Sequence, residues 1–261
     1  MIQLILCGAA GRMGQALIEA VQENPAFKIS AMVERRGHPK IGNSCVADTP
    51  PLVDDLLLAM NQGQVIIEFS TPDGTLANAK KAAIIKKPMV IGTTGLMEEH
   101  RDLFGELARE IPMVVSSNMS VGVNLLYSLV RTAARKLPRS FEAEIVESHH
   151  KWKKDAPSGT AKRLLDEIIQ ARGGVPVYER QTGSRARTAN EIGVFSVRAG
   201  DIVGEHTVTF AGLGERLELV HRAHSRRVFA EGALLAAQFV LDAKPGLYDM
   251  QDVLGLKMKN E

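Results

Sequence analysis

Apolar residues open the chain as an unbroken run from Ile2 to Cys7, the length of a strand buried on both faces. Helical spacing follows at once, because Leu17, Ile18 and Val21 fall on one side of a helix over Met13 to Val21. The alternation then repeats. Strands are predicted at Lys28 to Val33, Val65 to Phe69, Met89 to Ile91 and Met113 to Ser116, and helices at Leu52 to Met60, Thr75 to Lys86 and Glu98 to Glu110. Strands and helices in strict alternation build a parallel sheet covered on both faces.

After a helix over Val123 to Lys136 and the break at Pro138, the period changes to two. From Phe141 onward Ala143, Ile145, Glu147 and His149 share one face of a strand, while Glu144, Val146, Ser148 and His150 share the other. A helix over Thr160 to Ala171 carries Leu164, Leu165, Ile168 and Ile169 on its apolar side. Pro176 to Asn190 is polar, basic and aperiodic and reads as a long loop. Three strands, Ile192 to Arg198, Glu205 to Ala211 and Glu215 to His221, follow as a meander. An alanine-rich helix over Arg226 to Leu241, with Phe229, Leu234, Ala237 and Leu241 inward, precedes a short helix within Leu247 to Leu256.

Glycines fix the first strand-helix junction. Gly8, Gly11 and Gly14 give G-x-x-G-x-x-G, a departure from the dinucleotide fingerprint G-x-G-x-x-G in that Ala9 occupies its first glycine position. The second strand ends in Glu34, twenty residues beyond Gly14, where such folds place an acid on the adenosine ribose. The expected fold is therefore α/β: an N-terminal Rossmann-type dinucleotide-binding domain over residues 1–120, completed by 228–261, and a second α+β domain over 121–227. The second domain has a mixed, mostly open sheet with one helix-covered face, and its other face is available to another subunit. Arg35 and Arg36 directly follow Glu34; an acid favours the free ribose of NAD and an arginine the 2′-phosphate of NADP, so both cofactors stay open. Ser70-Thr71 and Gly92 to Gly95 follow strands and are placed to line the same crevice.

Composition narrows the partners. With 32 basic and 30 acidic residues the net charge is +2, too balanced for a nucleic-acid binder, and no apolar run is long enough to span a bilayer. Cys7 and Cys45 are too few for a disulfide framework and lack metal-ligand spacing, which predicts a cytoplasmic protein without a metal site. The densest chemistry lies in Glu144 to Ile168. Strand alternation turns His149 and His150 opposite ways, Lys151, Lys153 and Lys154 follow, and Ser158-Gly159-Thr160 opens a helix whose N-terminus suits an anion. Cations followed by such a terminus point to a carboxylate-bearing substrate.

Seven blocks, GAAGRMG at Gly8 to Gly14, EFSTPDGT at Glu68 to Thr75, GTTG at Gly92 to Gly95, SSNMSVGVN at Ser116 to Asn124, ESHHKWKKDAPSGTA from Glu147, VRAGDIVGEHTV at Val197 to Val208 and GERLEL at Gly214 to Leu219, carry a resemblance across nearly the whole chain. The sequence resembles the 4-hydroxy-tetrahydrodipicolinate reductases, also called dihydrodipicolinate reductases, and the histidine block with DAPSGTA is its most specific part. The resemblance implies NADH- or NADPH-dependent reduction of a small cyclic dicarboxylate in lysine and diaminopimelate biosynthesis, by a homotetramer whose second-domain sheets meet in the oligomer core. It puts the proton donor on His149, its lysine partner on Lys153, and substrate contacts on His150, Gly159 and Thr160. Cofactor contacts fall on Gly8, Ala9, Ala10, Gly11, Arg12, Met13, Glu34, Arg35, Gly92, Thr93, Thr94, Ser116, Ser117, Asn118 and Met119. A reductase for another small keto or imino acid is disfavoured by DAPSGTA, and a nucleotide sensor without turnover by the intact His149 and Lys153 pair.

Overall fold

The computed structural model describes residues 1–97, 99–180 and 186–257, and the chain divides into two units, Met1–Val121 with Arg226–Glu261, and Gly122–Ser225. The first contains β1 (Ile2–Cys7), α1 (Arg12–Gln22), β2 (Phe27–Val33), β3 (Leu52–Val53), α2 (Leu56–Ala59), β4 (Val65–Glu68), α3 (Pro72–Ile84), β5 (Met89–Ile91), α4 (Glu99–Leu107) and β6 (Pro112–Val115). The second contains α5 (Val121–Lys136), β7 (Glu142–His149), α6 (Gly159–Arg172), β8 (Val175–Val177), β9 (Glu191–Arg198), β10 (Gly204–Gly212) and β11 (Glu215–Ala223). The chain then completes the first unit with α7 (Arg227–Asp242), β12 (Gly246–Tyr248) and α8 (Met250–Val253).

The seven strands of the first unit are ordered β12-β6-β5-β4-β1-β2-β3 and every pairing is parallel. Because side chains alternate along a strand, each apolar run feeds two cores. Leu4, Leu6, Val65, Ile67, Val90 and Val114 pack toward α1 and α7, whereas Ile5, Ile66, Met89, Ile91 and Met113 pack on the opposite face with α3 and α4 residues such as Ala79 and Phe104. Helix α7 comes close to the segment after β6 because it is built from small residues. A Cβ on Gly232 would lie 1.8 Å from the Met119 carbonyl oxygen, so only glycine fits.

The second unit has a five-stranded mixed sheet, β11-β10-β7-β9-β8, in which β10 is antiparallel to both its neighbours and β7, β9 and β8 run parallel. Its inner face buries Ala143, Ile145, Val194, Val208 and Phe210 against Leu126, Val130, Leu164 and Ile168 of α5 and α6. The outer face leaves Val146, Val197 and Val220 exposed.

Several sequence expectations are corrected. Leu52 and Val53 do not begin a helix; they pair with Met32 and Val33 as an edge strand, and the Asp55 carboxylate caps a single helical turn by accepting from Leu57 N–H at 2.9 Å. Helix α3 starts at Pro72, not Thr75, because Thr71 caps it and proline suits the first helical position despite Gly74. The tail first extends β6 as β12 before Asp249 opens α8 with a capping box. Val175 to Val177 form a strand within what reads as loop; of that predicted loop, residues 181–185 lie outside the described residues, as does Glu98, the predicted start of α4.

The three later strands are not a meander. β9 lies beside β7, and the connection to β10 passes the end of β7, where Ala199 N–H donates to the His149 carbonyl at 2.9 Å and Lys151 N–H to that of Gly200 at 3.2 Å. β10 thereby reaches the far side of β7, which becomes the central strand.

Candidate active site

In the first unit the strand order reverses between β1 and β4, the place where parallel sheets open a crevice beyond their carboxyl ends. A crevice of about 390 Å³ lies there, and Gly8, Ala10, Gly11, Glu34 and Arg35 line it together with Phe69 to Thr71, Asn78 and Lys81. Gly8 is required on two counts: its φ is +75°, and a Cβ would sit 2.6 Å from the Phe69 carbonyl oxygen. Gly14 lets α1 close on the turn, since a Cβ there would be 2.3 Å from the Ala9 carbonyl oxygen. No side chain caps α1, so its first N–H groups face outward as an anion cradle beside the exposed Arg12 and half-buried Met13.

Glu34 is locked in place. One carboxylate oxygen accepts from Ala10 N–H at 3.0 Å and the other from Arg35 N–H at 3.1 Å, so the acid at the end of β2 is tied to the glycine turn. On the neighbouring strand the buried Glu68 accepts from Ser70 N–H at 2.7 Å and Asn78 Nδ2 at 2.8 Å. Burial raises its pKa, and these hydrogen bonds oppose the rise. Burial also pushes the Cys7 thiol up, which makes it a core residue rather than a nucleophile.

The remaining predicted cofactor residues follow β5 and β6 along the same sheet edge. Gly92 packs on the Phe69 ring, where a Cβ would come within 2.2 Å of ring carbons. Thr93 is buried with its hydroxyl 2.7 Å from that of Thr75, and Thr94 is exposed. Ser116 Oγ donates to the Asn118 carbonyl at 2.8 Å, Ser117 is exposed, and the Met119 side chain is in the core. The crevice residues thus come together around β1, β2 and β4, while Gly92 to Thr94 and Ser116 to Met119 stand on the adjoining loops. A glycine-lined turn, an uncapped helix and a fixed acid suit a dinucleotide. Lys81, held 2.8 Å from Asp55, and Asn78 were not foreseen, because they stand mid-helix with no motif to mark the face that α3 turns to the crevice.

In the second unit the end of β7 carries the histidine block. Ala143, Ile145, Glu147 and His149 are all buried on the inner face, as the alternation requires. His149 Nδ1 lies 2.5 Å from Glu147 Oε2. The same carboxylate accepts from Ser158 N–H at 3.1 Å, Ser196 Oγ at 2.7 Å and Arg198 at 2.9 and 2.8 Å. Burial opposes its ionisation, but hydrogen bonds from His149, Arg198 and Ser196 outweigh that and hold the carboxyl well below its usual range. On the other side of His149, Gly204 leaves room: a Cβ there would sit 3.0 Å from Nε2.

His150 lies beyond the strand end with its ring 5.8 Å from that of Trp152. Lys153 Nζ pairs with Asp155 at 2.9 Å, and the Asp155 carbonyl accepts from Arg198 at 2.6 Å. The Ala156-Pro157 peptide is cis. Ser158 then caps α6, its hydroxyl accepting from Ala161 N–H at 3.2 Å, and Gly159 and Thr160 form the positive end of the helix. Nothing lies within 4 Å of where a Gly159 Cβ would be, so the backbone there is open to a ligand. His206 of β10 is buried, with Nε2 3.1 Å from Ser158 Oγ and its ring edge-on to His149 at 5.2 Å. Burial, and then the charge of His149, lower its pKa to about 3, so it is neutral. Among the described residues no group of three or more His, Cys, Asp or Glu side chains is arranged to hold a metal ion, and no helix is long and apolar enough to cross a membrane.

Family profiles described as "Dihydrodipicolinate reductase, N-terminus" and "Dihydrodipicolinate reductase, C-terminus" match residues 2–119 and 122–254. A curated protein of Geobacter sulfurreducens named 4-hydroxy-tetrahydrodipicolinate reductase is 48% identical, with 98% of this chain and 100% of that protein covered. The protein of the same name from Geotalea uraniireducens is 46% identical over the same shares. Among solved structures, the dipicolinate-bound dihydrodipicolinate reductase of Paenisporosarcina sp. TG-14 has the same fold, with a TM-score of 0.80 at 23% identity over 97% of this chain and 98% of that one. Two profiles that together span both units, and full-length relatives at this identity, place the chain in the dihydrodipicolinate reductase family.

Proposed function

We propose that this chain catalyses NADH- or NADPH-dependent reduction of the dehydrated form of 4-hydroxy-tetrahydrodipicolinate to tetrahydrodipicolinate, in lysine and diaminopimelate biosynthesis. The observation that carries the reading is the end of β7: an imidazole fixed through Nδ1 by a buried carboxylate, next to a lysine and a helix N-terminus, in a chain of this family.

A bound nicotinamide supplies the hydride. The chain's residues handle the rest. Gly8, Ala9, Ala10 and Gly11 shape the turn against which the pyrophosphate packs, the start of α1 at Arg12 and Met13 offers it backbone N–H groups, and Glu34 takes the adenosine ribose while Arg35 offers a cation for a 2′-phosphate. Gly92, Thr93, Thr94 and Ser116 to Met119 position the nicotinamide end. Reduction of a conjugated imine leaves a proton demand on one ring atom, and His149 meets it from Nε2, because Nδ1 is engaged by Glu147. Imidazole is the side chain whose chemistry suits proton donation of this kind. Gly159 and Thr160 receive one substrate carboxylate at the start of α6, Lys153 attracts the dianion, and His150 contacts the ring.

The crevice carries both Glu34 and Arg35, which supports use of either cofactor. The outer face of the second sheet, where Val146, Val197 and Val220 are between 41% and 44% exposed among polar neighbours, supports a homotetramer built on that face. Two free cysteines and the biosynthetic role support a cytoplasmic setting. Mixing the protein with NADPH and freshly generated substrate is expected to bleach the nicotinamide absorbance. Binding of NADPH without substrate-dependent oxidation would instead make the protein a nucleotide sensor.

A further inference from the structure

We infer that Glu147 is the positioning residue for the proton donor, a buried carboxylate that fixes the tautomer and orientation of His149 for transfer from Nε2. The inference rests on the reading of His149 as the donor and adds a residue on which that donor depends.

The carboxylate is fully buried and its surroundings leave it no freedom. Oε1 accepts from the Ser158 backbone, the Ser196 hydroxyl and one Arg198 nitrogen; Oε2 accepts from the other Arg198 nitrogen and faces His149 Nδ1. The anchoring donors come from β9 and from the cap of α6, and none belongs to the strand that bears the histidine. An anionic carboxylate accepts only, so the ring nitrogen facing it must carry the hydrogen. In the neutral ring that leaves Nε2 without one, and in the imidazolium it makes Nε2 the only nitrogen with a hydrogen to give away. Gly204 stands beside Nε2, and its missing side chain leaves that nitrogen uncrowded there. The ring is thereby aimed by a group that never touches the substrate, as an acid orients its histidine in other proton-transfer sites.

A purely structural account is available, in which Glu147 serves only to neutralise the half-buried Arg198. Breaking one partner of a buried pair leaves an uncompensated charge, whereas removing both does not. The two accounts are therefore separated by comparing Glu147→Gln with Glu147→Gln/Arg198→Gln. Positioning predicts that both Glu147 variants lose kcat by about ten-fold or more, a substantial part of a general acid's contribution. KM and NADPH affinity should stay within about two-fold. Nitrogen NMR of the neutral His149 ring should show hydrogen on Nδ1 in the wild type and loss of that preference in both Glu147 variants. Wild-type kcat in the folded double variant would overturn the inference, and so would a loss expressed only in KM. Failure of the underlying reading looks different, since His149→Gln would then keep wild-type turnover whatever the Glu147 variants did.

Discussion

Replacement of His206 by Gln should flatten the acid side of the protein's stability curve. His206 is 3% exposed on the inner face of β10, and the groups acting on it are His149 and Glu147 of β7, His221 of β11 and Lys153. Burial is the leading cause that brings its pKa from 6.5 down to about 3. The folded chain therefore refuses a proton that the unfolded chain accepts once the pH drops below 6.5, and folding weakens as pH falls through that window. The slope approaches about 1.4 kcal/mol per pH unit, so this one group removes about 2 kcal/mol between roughly pH 7 and pH 5. Gln places an amide near the Nε2 position, within reach of the Ser158 hydroxyl, and does not titrate. Urea unfolding of both proteins at the two pH values, followed by circular dichroism and by Trp152 fluorescence, measures the difference. Equal losses in wild type and His206→Gln would refute the reasoning, because the proton uptake would then lie elsewhere.

Other outcomes follow from the same geometry. Glu34→Ala should weaken NADH binding about ten-fold, equivalent to about 1.4 kcal/mol, and NADPH binding less; equal losses in fluorescence titrations would remove the ribose assignment. Gly14→Ala drives a Cβ to 2.3 Å from the Ala9 carbonyl oxygen, a backbone clash at an overpacked position expected to cost about 1–3 kcal/mol or more and to lower Tm and dinucleotide affinity together. Gly204→Ala crowds His149 Nε2 at 3.0 Å and should lower kcat without changing NADPH affinity; an unaltered rate would place the proton path elsewhere.

Legibility in the sequence differed between elements for physical reasons. β1, its glycine turn and α1 were readable because a doubly buried strand, special backbone positions and a helical stripe coincide within Ile2 to Val21. β3, β8 and β12, of two or three residues each, carry too little pattern to register; they exist because a longer strand already offers them an edge. Alternation gave the faces of β7 correctly but not its neighbours, since period two says which way Ala143 or His149 points and nothing about which strand lies alongside. The same limit hid the setting of Glu147. Its face was visible from the sequence, whereas Ser196 and Arg198 reach it through the pairing of β9 beside β7, and Ser158 through the return of the α6 cap onto the same strand.

The most direct test of the account is substrate-dependent oxidation of NADPH by His149→Gln beside the wild type, with NADPH affinity measured on both. A group that donates the proton predicts a kcat lower by about a hundred-fold or more, with NADPH affinity unchanged. Wild-type turnover in His149→Gln would contradict it and move the chemistry away from the end of β7.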